Sequence, residues 1–312
     1  MQRSLFLVGL VLMAICVAVA SFFFVPALLP GKQMQAAVTT TPTPVATSTP
    51  TPSPTPSPVS SATAQALREV STYLIDAASG KVLINTNSNM RLPMASTTKI
   101  MTAVLAIEHL SLDDMVTIQQ SELDEVPPGG YSTAFLRAND QLSVRDLLYG
   151  LLLPGGCDAA IVLAHTVSGN TASFVTLMNA KARALNLTNT HFANPAGFSD
   201  PNNYSTAKDL TTLARYAMSN QTFATIVSQK NFVVPATLNH HLYNSWQNTN
   251  QLLGTYPGAD GVKAGNSDDS GYCLVFSATR SGHRLIGTVM HDTADFLYVD
   301  ATSALDTGFS KV

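Results

Sequence analysis

Pro93-Met94-Ala95-Ser96-Thr97-Thr98-Lys99-Ile100-Met101-Thr102-Ala103 is the stretch around which the rest of the chain is organised. It reads as the opening of a buried helix, with a serine at its mouth and a lysine one turn later. Side chains three apart share a helix face, so the Lys99 amine is within reach of the Ser96 hydroxyl. A serine is a weak nucleophile until a base takes its proton, and an uncharged lysine is such a base. The helix N-terminus adds unpaired backbone N–H groups and the positive end of its dipole, both suited to a developing oxyanion. The turn therefore points to acyl transfer. Ser-x-x-Lys is short, and the chain holds a second copy, Ser205-Thr206-Ala207-Lys208, which reads as an ordinary helix N-cap followed by a solvated lysine.

Composition narrows the alternatives. The 312 residues are 46% hydrophobic and only 12% charged, with a net charge of −3. With the N-terminal segments set aside, about 250 residues remain, enough for one large core or two interleaved lobes. No basic block is present, which argues against a nucleic-acid partner. The three cysteines form neither a metal pattern nor a disulfide framework. Cys16 lies in the apolar N-terminal run. Cys273, in the apolar run Tyr272–Phe276, reads as a buried strand residue, and a Cys157–Cys273 disulfide stays open to an exported protein. His240 and His241 fall in a polar loop without further ligands at metal spacing, so neither a metal nor a cofactor is expected. His191 reads as structural. Glu122, Asp124 and Glu125, ahead of a Pro-Pro-Gly-Gly turn, read as an exposed loop.

Residues 4–29 carry no charge and follow Arg3. A run of this length is longer than a signal-peptide core and suits a transmembrane anchor, although Ala18-Val19-Ala20 offers a cleavage site after Ala20. Residues 30–64 are rich in Thr, Ser and Pro, with seven prolines between 39 and 61, and read as a disordered, extended stalk. The expected placement is outside the cytoplasm, on the membrane or released into the cell wall.

A folded domain is expected over 65–312. It opens with a hairpin, Ser71–Asp76 and Lys81–Asn85 around Ser79-Gly80. The Ser96 helix runs to about Leu110, and helical patterns follow at Val144–Leu153, Asp158–Val167, Thr171–Leu185 and Thr206–Ser219. Strand-like runs return at Asn231–Pro235, Gly261–Gly265, Tyr272–Ala278 and Arg284–Met290, before a last helix from Ala294 to Phe309. Strands at both ends with helices between them argue an α+β fold: one antiparallel sheet flanked by helices, with an inserted helical lobe.

The domain resembles the D-alanyl-D-alanine carboxypeptidases, low-molecular-mass penicillin-binding proteins of the serine β-lactamase-like fold. Colinear segments carry the resemblance: the Ser96 motif, Ser143–Pro154, Asn179–Leu185, Thr190–Pro195, Ser205–Leu210, Asn248–Leu253 and Gly258–Gly265. It implies three active-site elements. Ser-x-x-Lys stands intact as Ser96 and Lys99, the catalytic pair. The second, Ser-x-Asn followed by Asp-Ala, falls on Gly155-Gly156-Cys157 and then Asp158-Ala159. The third, Lys-Thr-Gly, falls on Lys263-Ala264-Gly265. Lys99 must be neutral to act as a base, and a second ammonium nearby at Lys263, together with burial, is expected to lower its pKa.

Gly155 lacks the relaying hydroxyl, Cys157 is a weak substitute for an amide, and Ala264 lacks a hydroxyl for the substrate's carboxylate, for which Asn266 or Ser267 is a candidate replacement. The resemblance further implies an oxyanion hole from the backbone N–H groups of Ser96 and Asn266. Peptidoglycan stem peptides are the implied substrates, with removal of the terminal D-alanine, and β-lactams are the implied covalent inhibitors. The three departures predict reduced activity. They also keep open a non-catalytic wall-binding module, and the Ser–Lys pair alone keeps open a β-lactamase or esterase. The chain's end soon after Phe309 agrees with attachment from the N-terminus.

Overall fold

A computed structural model describes residues 69–237, 239–240 and 244–312. The expected anchor and stalk lie outside the described residues. Among these residues no single helix is long and apolar enough to cross a membrane.

The main sheet has five antiparallel strands: β1 (Ser71–Asp76), β2 (Val82–Thr86), β9 (Ala259–Ser267), β10 (Gly271–Arg280) and β11 (His283–Asp292), in the order β2-β1-β11-β10-β9. The first hairpin and the last three strands are thus adjacent in space though they stand at opposite ends of the domain's sequence, with Leu74 opposite Gly287. Both faces are covered, so alternate side chains enter two cores. Leu74, Leu274, Phe276, Leu285 and Val289 point to one side, where helix α8 (Leu297–Phe309) lies with Leu297, Ala301 and Leu305. Tyr73, Ile75, Val275, Ile286 and Met290 point to the other, larger core.

That larger core holds the inserted lobe. Its centre is α1 (Lys99–His109), buried from Lys99 through Ala106. Around it stand α3 (Val144–Leu152), α4 (Cys157–Ser168), α5 (Thr171–Ala184), α6 (Ala207–Met218) and α7 (Gln221–Val227). Local chemistry sets the helix starts. Ser143 Oγ accepts from Asp146 N, Asn170 Oδ1 accepts from Ser173 N, and Asn220 Oδ1 accepts from Thr222 N and Phe223 N. The α6 cap is Thr206, whose hydroxyl accepts from Asp209 N, while Ser205 lies in a short strand, β6 (Tyr204–Ser205), paired with β3 (Leu92–Pro93). Lys208 is exposed, as a solvated lysine should be.

Some expectations are corrected here. The run Asn231–Pro235 is strand β7 (Asn231–Val234), but it pairs only with β8 (Asn244–Gln247) in a separate ribbon. A strand's own sequence does not say which partner it finds. A further ribbon joins β4 (Met115–Thr117) to β5 (Gln141–Ser143). Glu122 is not in an exposed loop. It sits buried in the short helix α2 (Gln120–Leu123), accepts from Gln119 N, and its oxygen lies 4.0 Å from His165. His240 lies in the loop between β7 and β8, as expected, but its side chain is buried there, with Nδ1 3.2 Å from Asp140 Oδ2. Cys157 and Cys273 are free, buried thiols, so the disulfide does not form.

Candidate active site

Ser96 stands on a single 3-10 turn, Ala95–Thr98, that feeds directly into α1. The turn is wedged between the helical lobe and the edge strand β9. Gly265 of β9 passes so close that a Cβ there would lie 2.8 Å from Ser96 N and 3.1 Å from Ser96 Cβ, so only glycine fits. This close passage brings the third motif against the first.

Lys99 is fully buried, with its Nζ 2.9 Å from Ser96 Oγ, 3.4 Å from Cys157 Sγ and 2.5 Å from the Ala196 carbonyl. The carbonyl is presented by a turn that Asn194 builds, its Oδ1 accepting from Ala196 N, Gly197 N and Phe198 N. Pro195 O accepts from Thr102 Oγ1 and ties the same turn to α1. Burial pushes the Lys99 amine below its ordinary value, with nearby Cys157 and Asp158 acting the other way. An amine whose charged form is disfavoured, held 2.9 Å from a serine hydroxyl, is placed to take its proton.

Lys263, on β9, is 2% exposed and donates to the Ala264 carbonyl at 2.9 Å, with Thr249 Oγ1 at 3.4 Å. Its amine is lowered to about 7, first by burial and then by the Lys99 charge. Repulsion between two neighbouring ammonium groups acts on both, and together with burial it disfavours both amines being charged at once.

Two clefts meet at Ser96. One, about 230 Å³, runs past Lys263, Ala264, Thr249 and Tyr298. The other, about 340 Å³, runs past Tyr131, Cys157, Gly197 and Asp268. All the residues singled out from the sequence converge here: Ser96, Lys99, Cys157, Gly155, Lys263, Ala264, Gly265 and Asn266. Ser267 is not a free replacement for the missing hydroxyl of Ala264, because its Oγ bonds Asp269 Oδ1 at 2.6 Å and Ser270 Oγ at 2.7 Å. Thr249, beside Lys263 and lining the same cleft, is not singled out by the sequence, although it stands within the colinear run Asn248–Leu253. Ser132 and the Ala196 carbonyl also escape a reading of the sequence. A backbone acceptor leaves no mark there, and Ser132 reaches the site only through its loop's anchoring.

This fold, with a serine, a buried lysine base and a second lysine on the neighbouring edge strand, defines a serine acyl-transfer enzyme. The profile of the D-alanyl-D-alanine carboxypeptidase family matches residues 58–294, and the chain belongs to that family of serine peptidases. It is 42% identical over 263 residues to a D-alanyl-D-alanine carboxypeptidase of Streptomyces sp. strain K15, covering 80% of this chain and 90% of the relative. It is 34% identical to D-alanyl-D-alanine carboxypeptidase DacF of Bacillus subtilis, covering 77% of this chain and 62% of the relative. A serine-to-alanine variant of the Streptomyces K15 DD-transpeptidase superposes with a TM-score of 0.74 at 40% identity, covering 77% of this chain and 97% of that one. A D-alanyl-D-alanine carboxypeptidase from Mycobacterium tuberculosis gives 0.71 at 32% identity, covering 78% and 91%.

Proposed function

We propose that this D-alanyl-D-alanine carboxypeptidase removes the terminal D-alanine of peptidoglycan stem peptides through an acyl-enzyme on Ser96. The observation that carries the assignment is the buried Lys99 amine, 2.9 Å from the Ser96 hydroxyl. Lys99 takes the hydroxyl proton as Ser96 Oγ attacks the penultimate D-alanine carbonyl. The N–H groups of Ser96 and Asn266 hold the oxyanion, Lys263 and the Thr249 hydroxyl hold the terminal carboxylate, and Gly265 lets β9 approach. Cys157 and Gly155 line the side of the site facing the two lysines. The C–N bond breaks, D-alanine leaves, and water hydrolyses the ester. β-Lactams would acylate the same oxygen. The enzyme acts outside the cytoplasm, held by residues 4–29 or released by cleavage after Ala20, with 30–64 as a spacer.

A second reading follows from the structural neighbour named a DD-transpeptidase. In it the same acyl-enzyme passes to an amine instead of water, and adding a peptide amine to the assay would divert product from hydrolysis to transfer.

The test is labelling of the full chain with a fluorescent penicillin, beside Ser96→Ala. An adduct on the parent alone is expected. Equal labelling of both would sink the assignment of Ser96.

A further inference from the structure

Acylation needs a proton delivered to the departing amine, because an unprotonated amide nitrogen is a very poor leaving group. Gly155, where the family resemblance places a relaying serine, has no side chain to deliver it. Its surroundings show what does occupy that space. A Cβ built on Gly155 would lie 3.2 Å from Lys263 Nζ and 3.8 Å from Ser132 Cβ. Ser132 Cβ is therefore in van der Waals contact with the place a Cβ at 155 would take, and that same place lies against the Lys263 amine.

Position within the clefts points the same way. The scissile bond must straddle the two clefts, with the acyl part in one and the leaving D-alanine in the other. Three residues line both: Ser96, Asn266 and Ser132. Ser96 is the nucleophile and Asn266 offers its backbone N–H, which leaves Ser132 as the hydroxyl at the junction. Thr249 lines only the cleft that holds Lys263.

The loop carrying Ser132 is built to hold it there. Ser132 O accepts from Cys157 N at 2.9 Å. The buried Asp158 carboxylate accepts from Thr133 Oγ1 at 2.5 Å, Ala134 N at 2.8 Å and Leu136 N at 3.0 Å. Trp246 Nε1 donates to Ala134 O at 3.0 Å. The Ser132 hydroxyl is bonded to no protein group among the described residues, Lys263 Nζ included, so its link to that amine forms only with substrate in the cleft they both line.

We propose that Ser132 supplies the hydroxyl that Gly155 lacks, passing protons between Lys263 and the substrate's leaving amine. The proposal rests on Ser96 as the nucleophile. The proton count closes over a full turnover. In acylation, the Ser96 proton moves to neutral Lys99 as the Oγ–C bond forms and the carbonyl pair moves onto oxygen. The pair returns, the C–N bond breaks, the nitrogen takes the Ser132 proton, and Ser132 is reprotonated by the Lys263 ammonium. In deacylation, water attacks the ester and its proton returns through Ser132 to Lys263, while Lys99 gives its proton back to Ser96 Oγ. Lys263, poised at about 7, can give and take a proton near neutrality. Its neutralisation also loosens its hold on the departing carboxylate.

The experiment compares two substrates with the same acyl group on the full-length enzyme: a peptide ending in D-alanyl-D-alanine, and a thioester whose thiolate leaves without a proton. Ser132→Ala is expected to lower peptide kcat roughly tenfold or more while leaving thioester turnover within about twofold. Ser132→Thr, which keeps a hydroxyl, should recover most of the peptide rate. Equal losses on both substrates would assign Ser132 a structural role, and an unchanged peptide rate would remove it from the reaction. Either result overturns the proposal. Failure of the nucleophile assignment shows separately, as thioester turnover by the parent that survives Ser96→Ala.

Discussion

Replacing Lys263 with methionine should make the protein more stable and less active, with a pH signature that identifies the cause. The Lys263 amine titrates at 10.5 in its ordinary state and at about 7 in the fold, where it is 2% exposed. The folded state therefore binds fewer protons than the unfolded state between these values, and stability rises with pH across that window. Below pH 7 the charge is buried in full. At about 1.4 kcal/mol for each pH unit between the two values, holding the charge there, against desolvation and then the repulsion of Lys99, costs about 5 kcal/mol. Methionine has a similar length and no charge. It forfeits the bond to the Ala264 carbonyl and the contact with Thr249, worth about 1–2 kcal/mol together. At pH 6 the variant should be more stable by about 3 kcal/mol, shrinking to nothing by about pH 10. Denaturant unfolding of parent and variant at pH 6, 8 and 10 measures the difference. Peptide turnover should fall as carboxylate binding and the proton source are lost together, a stability–activity exchange expected at a working site. A gain that is the same at every pH would show packing rather than charge as its origin. A variant less stable at pH 6 would refute the reasoning altogether.

The pH dependence of peptide kcat/KM should be bell-shaped. It rises as Lys99, lowered by burial, loses its proton, and falls as Lys263 loses its own near pH 7; a thioester without a terminal carboxylate, which needs neither the charge nor the proton of Lys263, should flatten the alkaline side. Gly265→Ala places a Cβ 2.8 Å from Ser96 N, and should slow penicillin acylation by roughly tenfold or more; an unchanged rate would mean that β9 shifts without cost. Asp158→Ala leaves Thr133, Ala134 and Leu136 without their shared acceptor and should cost about 3 kcal/mol by chemical denaturation; a loss under about 1 kcal/mol would show that the loop is held by other contacts.

What the sequence by itself determined is whatever repeats over short distances. The three-residue spacing of Ser96 and Lys99 put amine and hydroxyl together because a helical turn does so wherever it forms. Apolar runs bounded by turn residues marked Ser71–Asp76, Tyr272–Ala278 and Arg284–Met290 as strands, though not which core each face would enter. The periodic apolar runs Val144–Leu153, Asp158–Val167, Thr171–Leu185 and Thr206–Ser219 gave their helices, whereas α7 (Gln221–Val227), capped by Asn220, is too short to show such a run. The resemblance extended this to Lys263, Gly155 and Cys157 by order along the chain.

Only the tertiary structure decided the rest. It sent β7 to a separate ribbon, buried Glu122 and His240, and left Cys157 beside Lys99 rather than bonded to Cys273. It also brought Ser132 beside Gly155 and Lys263, and Thr249 beside Lys263. These neighbours lie far apart in sequence, and each meeting depends on how helices and sheet pack. The depressed amine of Lys263 has the same origin: a lysine gives no sign in sequence of the water it will lose, and burial is a property of everything folded around it.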